Sequence, residues 1–101
     1  DQARQFAQHA VATSAQQFGF AAHALHLFGD IATHRDRIEA EVGEAYYRQA
    51  LALAEPRGMR PLIASCRLRL AEIYERTNKR KQAREQLTAA TAMFREMNMQ
   101  L

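Results

Sequence analysis

Apolar residues recur at spacings of three and four along this chain, the period of a helix with one inward face. Runs of β-branched residues are absent, and strong helix formers fill the stretches between two prolines and four glycines. The pattern predicts five helices. The first covers about 2–17, with Ala3, Phe6, Ala7, Ala10, Val11 and Ser14 inward, and ends at Gly19, a residue suited to a helix C-cap. The second, about 20–34, turns Ala22, Leu25, Phe28, Gly29, Ile31 and Ala32 inward. The third, about 38–55, presents Val42, Tyr46, Tyr47, Ala50, Leu51, Leu53 and Ala54 until Pro56 and Gly58 interrupt it. A fourth starts at Pro61, a favourable first-turn residue, and runs to about 76 through Leu62, Ile63, Leu68, Leu70, Ala71, Ile73 and Tyr74. After the turn Thr77-Asn78-Lys79, a fifth helix over about 80–97 carries Ala83, Leu87, Ala90, Met93, Phe94 and Met97.

Short loops between such helices favour antiparallel neighbours. The helices also repeat in pairs. At a spacing of 42 residues, Ala22 matches Ala64, Phe28 matches Leu70, Gly29 matches Ala71, Ile31 matches Ile73 and Ala32 matches Tyr74. At a spacing of 40, Gly43 matches Ala83, Tyr47 matches Leu87, Ala50 matches Ala90 and Leu53 matches Met93. The first helix then reads as the second half of an earlier unit. Helix pairs recurring at such spacings are the mark of an α-solenoid, in which each pair buries a face by stacking on the next. Small residues at 29, 71, 50 and 90 mark where helices approach closely.

The run Leu70-Ala71-Glu72-Ile73-Tyr74, then Asn78-Lys79, then Ala83, Leu87 and Ala90, resembles the tetratricopeptide-repeat pattern of a large-plus-small pair, an aromatic, a turn and a second small/large/small helix. Phe28-Gly29 with Tyr47 and Ala50 looks like the same pattern with a longer turn. The segment Ala45 to Ala54 with Gly58-Met59-Arg60-Pro61-Leu62 is similar to the C-terminal repeat tails of large bacterial regulators that carry a nucleotide-cyclase or ATPase head. The resemblance implies an all-α, right-handed solenoid of antiparallel pairs: a half repeat over 1–19 and repeats over 20–58 and 59–101, as a segment of a longer protein. The chain departs from the family in its longer spacing, in Ala32 where an aromatic is common, and in Arg67 where an apolar residue is common.

Composition narrows the function classes. With 48% hydrophobic and 25% charged residues the chain has the balance of one globular unit, and no stretch approaches a membrane span. The single cysteine, Cys66, has no internal partner for a disulfide, which points to a reducing, cytoplasmic setting. A net charge of +3 is too small an excess to imply a polyanion partner. The basic cluster Arg76, Lys79, Arg80, Lys81 and Arg84 is interleaved with Glu72, Glu75 and Glu85 and lacks aromatic stacking residues, which argues against nucleic acid.

Glycine-rich phosphate loops, zinc-type cysteine spacing and nucleophile-elbow motifs are absent, so neither an enzyme nor a cofactor is indicated. His26, Asp30 and His34 form an i, i+4, i+8 ladder beside His23, but the two outer histidines lie about 12 Å apart along a helix, too far to share one ion. In the family the first helix of each pair lines a concave groove that takes a protein or peptide. The matching residues here are His23, His26, Asp30, Thr33 and His34, then Ser65, Leu68, Glu72, Glu75 and Arg76. Met93, Phe94, Met97, Met99 and Leu101 form a terminal apolar stripe suited to a following helix or to a second copy of the chain. The expectation is a protein-binding, regulatory scaffold; the alternative is a ligand- or metal-sensing helical domain.

Overall fold

The computed structural model describes residues 14–34 and 39–99. Four α-helices make up this region: α1 (Ser14–Ala32), α2 (Ala40–Ala54), α3 (Arg60–Arg76) and α4 (Arg80–Met99), with a 3₁₀ turn over Glu55–Arg57 between α2 and α3. There is no strand among the described residues. The expected first helix up to residue 13, with Ala3, Phe6, Ala7, Ala10 and Val11, lies outside the described residues, as do Arg35, Asp36 and Leu101 and the side chains of Ser14 and Met99; its last residues, 14–17, belong to α1.

Two loops are closed by the same device. Gly58 sits in the left-handed region at φ 63°, while the Gly58 amide donates to Glu55 O and the Met59 amide to Ala54 O. Asn78, at φ 62°, does the same after α3: its amide donates to Glu75 O and that of Lys79 to Tyr74 O. Paired bonds of this kind around a left-handed residue satisfy the carbonyls that a helix end would otherwise leave bare. Gly58 reaches the conformation without a Cβ penalty, and Asn is the side chain that tolerates it best.

The helices run antiparallel to their sequence neighbours. The end of α1 meets the start of α2 at Thr33 and Gly43, and Phe18 near the start of α1 meets Arg57 just past α2, the guanidinium lying 3.9 Å from the ring centre. Arg60 reaches Glu96 and Arg67 reaches Gln86 across α3 and α4. The core lies where these layers meet, with Tyr47, Leu70 and Cys66 as its largest fully buried side chains. Ala22, Ala50, Leu51, Ala54, Leu62, Ile63, Ile73, Tyr74 and Ala83 pack with them, and Leu25, Leu53 and Met93 lie on the margin.

Gly19 does not cap a helix. α1 begins at Ser14 and runs straight through it, for a single interior glycine costs only about 1 kcal/mol of helix propensity. That half of α1 is anchored from outside: a Cβ on Gly19 would lie 3.7 Å from the Met59 side chain. Several positions expected to face inward are exposed instead. Phe28 is 48% and Ile31 64% exposed, and Val42, Leu87 and Phe94 are exposed as well. Helical period marked these residues as able to leave water, but their neighbours cover them only in part: Phe28 leans on the Tyr46 ring and Leu87 lines a depression beside α3.

Glycine is required at two points of the first pair. A Cβ on Gly29 would stand 2.6 Å from the Tyr47 ring, and one on Gly43 would collide with the Thr33 methyl and lie 3.5 Å from Ile73 Cδ1. The absent side chains let the buried Tyr47 ring pack against α1 and let α3 approach α2. Arg67 also finds its reason: half-buried, it donates to Gln86 Oε1 (3.1 Å) and Glu55 Oε2 (2.6 Å), tying α4 and the 3₁₀ turn to α3.

Candidate partner-binding surface

Histidines, carboxylates and arginines meet where α1 and α3 run side by side. His26 Nε2 lies 2.8 Å from Ser65 Oγ, a pair 39 residues apart. One turn further along both helices, Arg69 Nε lies 3.5 Å from Asp30 Oδ1. Two successive contacts at the same residue spacing make α1 and α3 parallel, so their polar stripes form one surface. His26, Asp30, Ser65 and Thr33 are half-buried there, whereas His23, His34, Glu72, Glu75 and Arg76 are exposed.

Asp30 is the hub. Its Oδ1 accepts the Tyr47 hydroxyl at 2.5 Å, and its Oδ2 faces His26 Nδ1 at 3.4 Å. Tyr47 is a core ring with a polar tip, and a buried phenol needs such an acceptor. Thr33 Oγ1 donates back to Gly29 O at 2.9 Å. With both hydroxyl protons so used, the 3.4 Å approach of Thr33 Oγ1 to Tyr47 is the weakest link of the set. Burial and the Asp30 carboxylate push the Tyr47 phenol well above its ordinary range, so it stays a donor. His26 moves the other way: burial, aided by Arg69 and His23 and opposed by Asp30, holds its imidazole below 6.5.

Asp30 and His26 are thus engaged within the fold, and among the described residues no three His, Cys, Asp or Glu side chains converge as a metal-ion site would require. What faces outward is a cavity of about 290 Å³ lined by Asp30, Thr33, Arg69, Glu72, Ile73 and Arg76. Its two guanidinium groups alternate with two carboxylates, and Arg69 Nη1 donates to Glu72 Oε1 at 2.9 Å. A second depression, of about 700 Å³, lies between α3 and α4 and is lined by Leu68, Ala71, Glu72, Glu75, Arg76, Arg80, Ala83, Arg84 and Leu87. Six of the expected groove residues, Asp30, Thr33, Leu68, Glu72, Glu75 and Arg76, thus line one depression or the other. His23 and His34 line neither.

Arg69 and Tyr47 were not singled out as polar players by sequence. Arg69 follows Ser65 by four residues and precedes Glu72 by three, which places it on the same stripe; Tyr47 carries no sequence sign that its hydroxyl meets Asp30. Glu44 belongs to a separate network. It accepts from Tyr74 OH at 2.5 Å and from Arg48 Nε at 3.1 Å, and Arg48 Nη2 donates to the Tyr74 hydroxyl. The Tyr74 bond is the chief reason that the Glu44 carboxyl is held below its ordinary value.

Cys66 is fully buried, and burial pushes its thiol up to about 12. It is a packed, protonated core group rather than a nucleophile. Of the terminal stripe, Met93 and Met97 are half-buried and Phe94 is exposed. Among the described residues no helix is long and apolar enough to cross a membrane. No protein-family model, curated protein or solved structure matches the chain.

Proposed function

We propose that this chain is a tetratricopeptide-like segment, a right-handed α-solenoid of antiparallel helix pairs, that holds a protein or peptide partner on the surface shared by α1 and α3. It performs no catalysis of its own and acts as a regulatory scaffold in a reducing, cytoplasmic setting. The observation that carries this reading is the parallel placement of α1 and α3, the first helices of two successive hairpins. Hairpins stacked in one direction place their first helices side by side in this way, and so generate an extended binding surface. The surface is prearranged, because Tyr47, Asp30 and His26 fix its floor from beneath. A partner segment carrying charges of both signs would complement Arg76 and Glu72, whose side chains are exposed.

Selection of displayed random peptides on the protein, followed by calorimetry, tests the assignment. Peptides that bind the surface should weaken about tenfold, near 1.4 kcal/mol, on Arg76→Glu or Glu72→Arg. The melting temperature should not move. Peptides that bind both variants as tightly as the wild type, or whose amide-shift footprint avoids α1 and α3, would sink the proposal.

A further inference from the structure

α1 and α3 present matching faces in unlike surroundings. At the 42-residue spacing, Phe28 corresponds to Leu70 and Ile31 to Ile73. In α3 these residues are 0% and 4% exposed; in α1 they lie in solvent, although Phe28 leans on the Tyr46 ring with centres 5.5 Å apart. Leu27, on the same side of α1, is also exposed. The face that α3 turns towards the first hairpin is therefore repeated on α1, with Leu27, Phe28 and Ile31 exposed and Ala32, at the position of Tyr74, buried.

The other half of that junction is repeated too. α3 enters the first hairpin against His26, Asp30, Gly43 and Glu44, which meet Ser65, Arg69, Ile73 and Tyr74 respectively. Shifted by 42 residues on the first helix and 40 on the second, these receiving positions become Leu68, Glu72, Ala83 and Arg84. All four line the 700 Å³ depression between α3 and α4. Leu87 lies in the same depression at the position of Tyr47, and it is exposed where Tyr47 is fully buried. Among the described residues, α1 thus carries the inserting face of the internal junction, and α3 and α4 carry the receiving groove.

We infer that two copies of this chain associate head to tail, with the Leu27, Phe28 and Ile31 face of one copy seated in the α3/α4 depression of the next. The receiving groove is more apolar than its internal counterpart. Leu68 replaces His26 and Leu87 replaces Tyr47; in this register Ile31 comes to Ala83, as Ile73 comes to Gly43, and Leu27 comes to Glu72. The contact is heterologous, so a dimer retains one free face and one free groove and the assembly grows. Glu72 and Arg76 line both the α1/α3 cavity and the α3/α4 depression, but the two readings fail separately: a strictly monomeric protein overturns the association and leaves peptide binding untouched.

Sedimentation velocity between about 10 μM and about 1 mM, where weak protein pairs associate, reads the result directly. The wild-type mass should rise with concentration beyond two chains. Ile31→Arg blocks the inserting face and Leu87→Arg the receiving groove. Both positions are exposed, so each variant should keep its helical circular dichroism while sedimenting as a monomer. An equimolar mixture of the two should recover a two-chain species and nothing larger, because the mixed pair has one intact junction and two blocked ends. A wild-type protein that stays monomeric over the range, variants that assemble as the wild type does, or a mixture that stays monomeric would each overturn the inference.

Discussion

α1 and α3 carry a matching pattern, and most of what this fold teaches lies in the difference between them. Both place a small residue against the second helix of the hairpin, Gly29 in one and Ala71 in the other, and both are buried there. On the opposite side they diverge. α3 buries Leu62, Ile63, Cys66, Leu70 and Ile73, whereas α1 leaves Phe28 and Ile31 in solvent. An amphipathic stripe states which residues are able to leave water; the neighbouring helix decides whether they do.

Truncation of matched residues should expose this contrast most strongly. Leu70→Ala removes a fully buried side chain and should lower stability by about 2–5 kcal/mol, whereas Phe28→Ala should cost under about 1 kcal/mol in the dilute protein, by urea unfolding. Comparable losses at the two positions would mean that α1 is covered as fully as α3.

Within α1, the two glycines offer a finer test. Gly29→Ala drives a Cβ into the Tyr47 ring, and overpacking should outweigh the gain in helix propensity, for a net loss of about 1–3 kcal/mol. Gly19→Ala meets only the flexible Met59 side chain at 3.7 Å and should raise stability by about 0.5–1 kcal/mol. Thermal melts of the two variants should move in opposite directions.

The smallest effect concerns pH. Burial holds the His26 imidazole below 6.5 in the folded chain, so the unfolded chain takes up the proton first. The stability associated with neutral His26 is present above pH 6.5 and is lost as the pH falls through 6.5 towards the folded value. Melting temperatures should therefore decline between about pH 7 and about pH 5.5, and His26→Gln, which keeps a hydrogen-bonding group near Ser65, should flatten the decline. Glu44, held low mainly by its Tyr74 bond, loses its contribution only below 4.5, outside that window. An unchanged slope in the His26 variant would assign the pH dependence to other groups.

Much of the helical layout was legible in the sequence, because propensity and breakers act locally. Pro61 at the start of α3, Gly58 in the left-handed region and the Thr77-Asn78-Lys79 turn each follow from the covalent character of a few residues. Gly19 misled because a glycine that ends one helix is tolerated inside another; the choice depends on contacts such as that with Met59, far along the chain. The polar surface was half legible. Periodicity placed His26 and Asp30 on one helix face and the family resemblance grouped them with Glu72, but nothing local brings Tyr47 and Arg69 to Asp30.

The sequence by itself determined which segments coil, which faces are apolar and where a small residue permits close approach, since these depend on side-chain volume, backbone freedom and a 3.6-residue period. Only the tertiary structure decided which apolar face is covered and which polar groups satisfy one another. Burial and hydrogen bonding are properties of pairs of surfaces, and the partners of Asp30, Tyr47 and Leu70 lie on helices that chain proximity alone does not bring together.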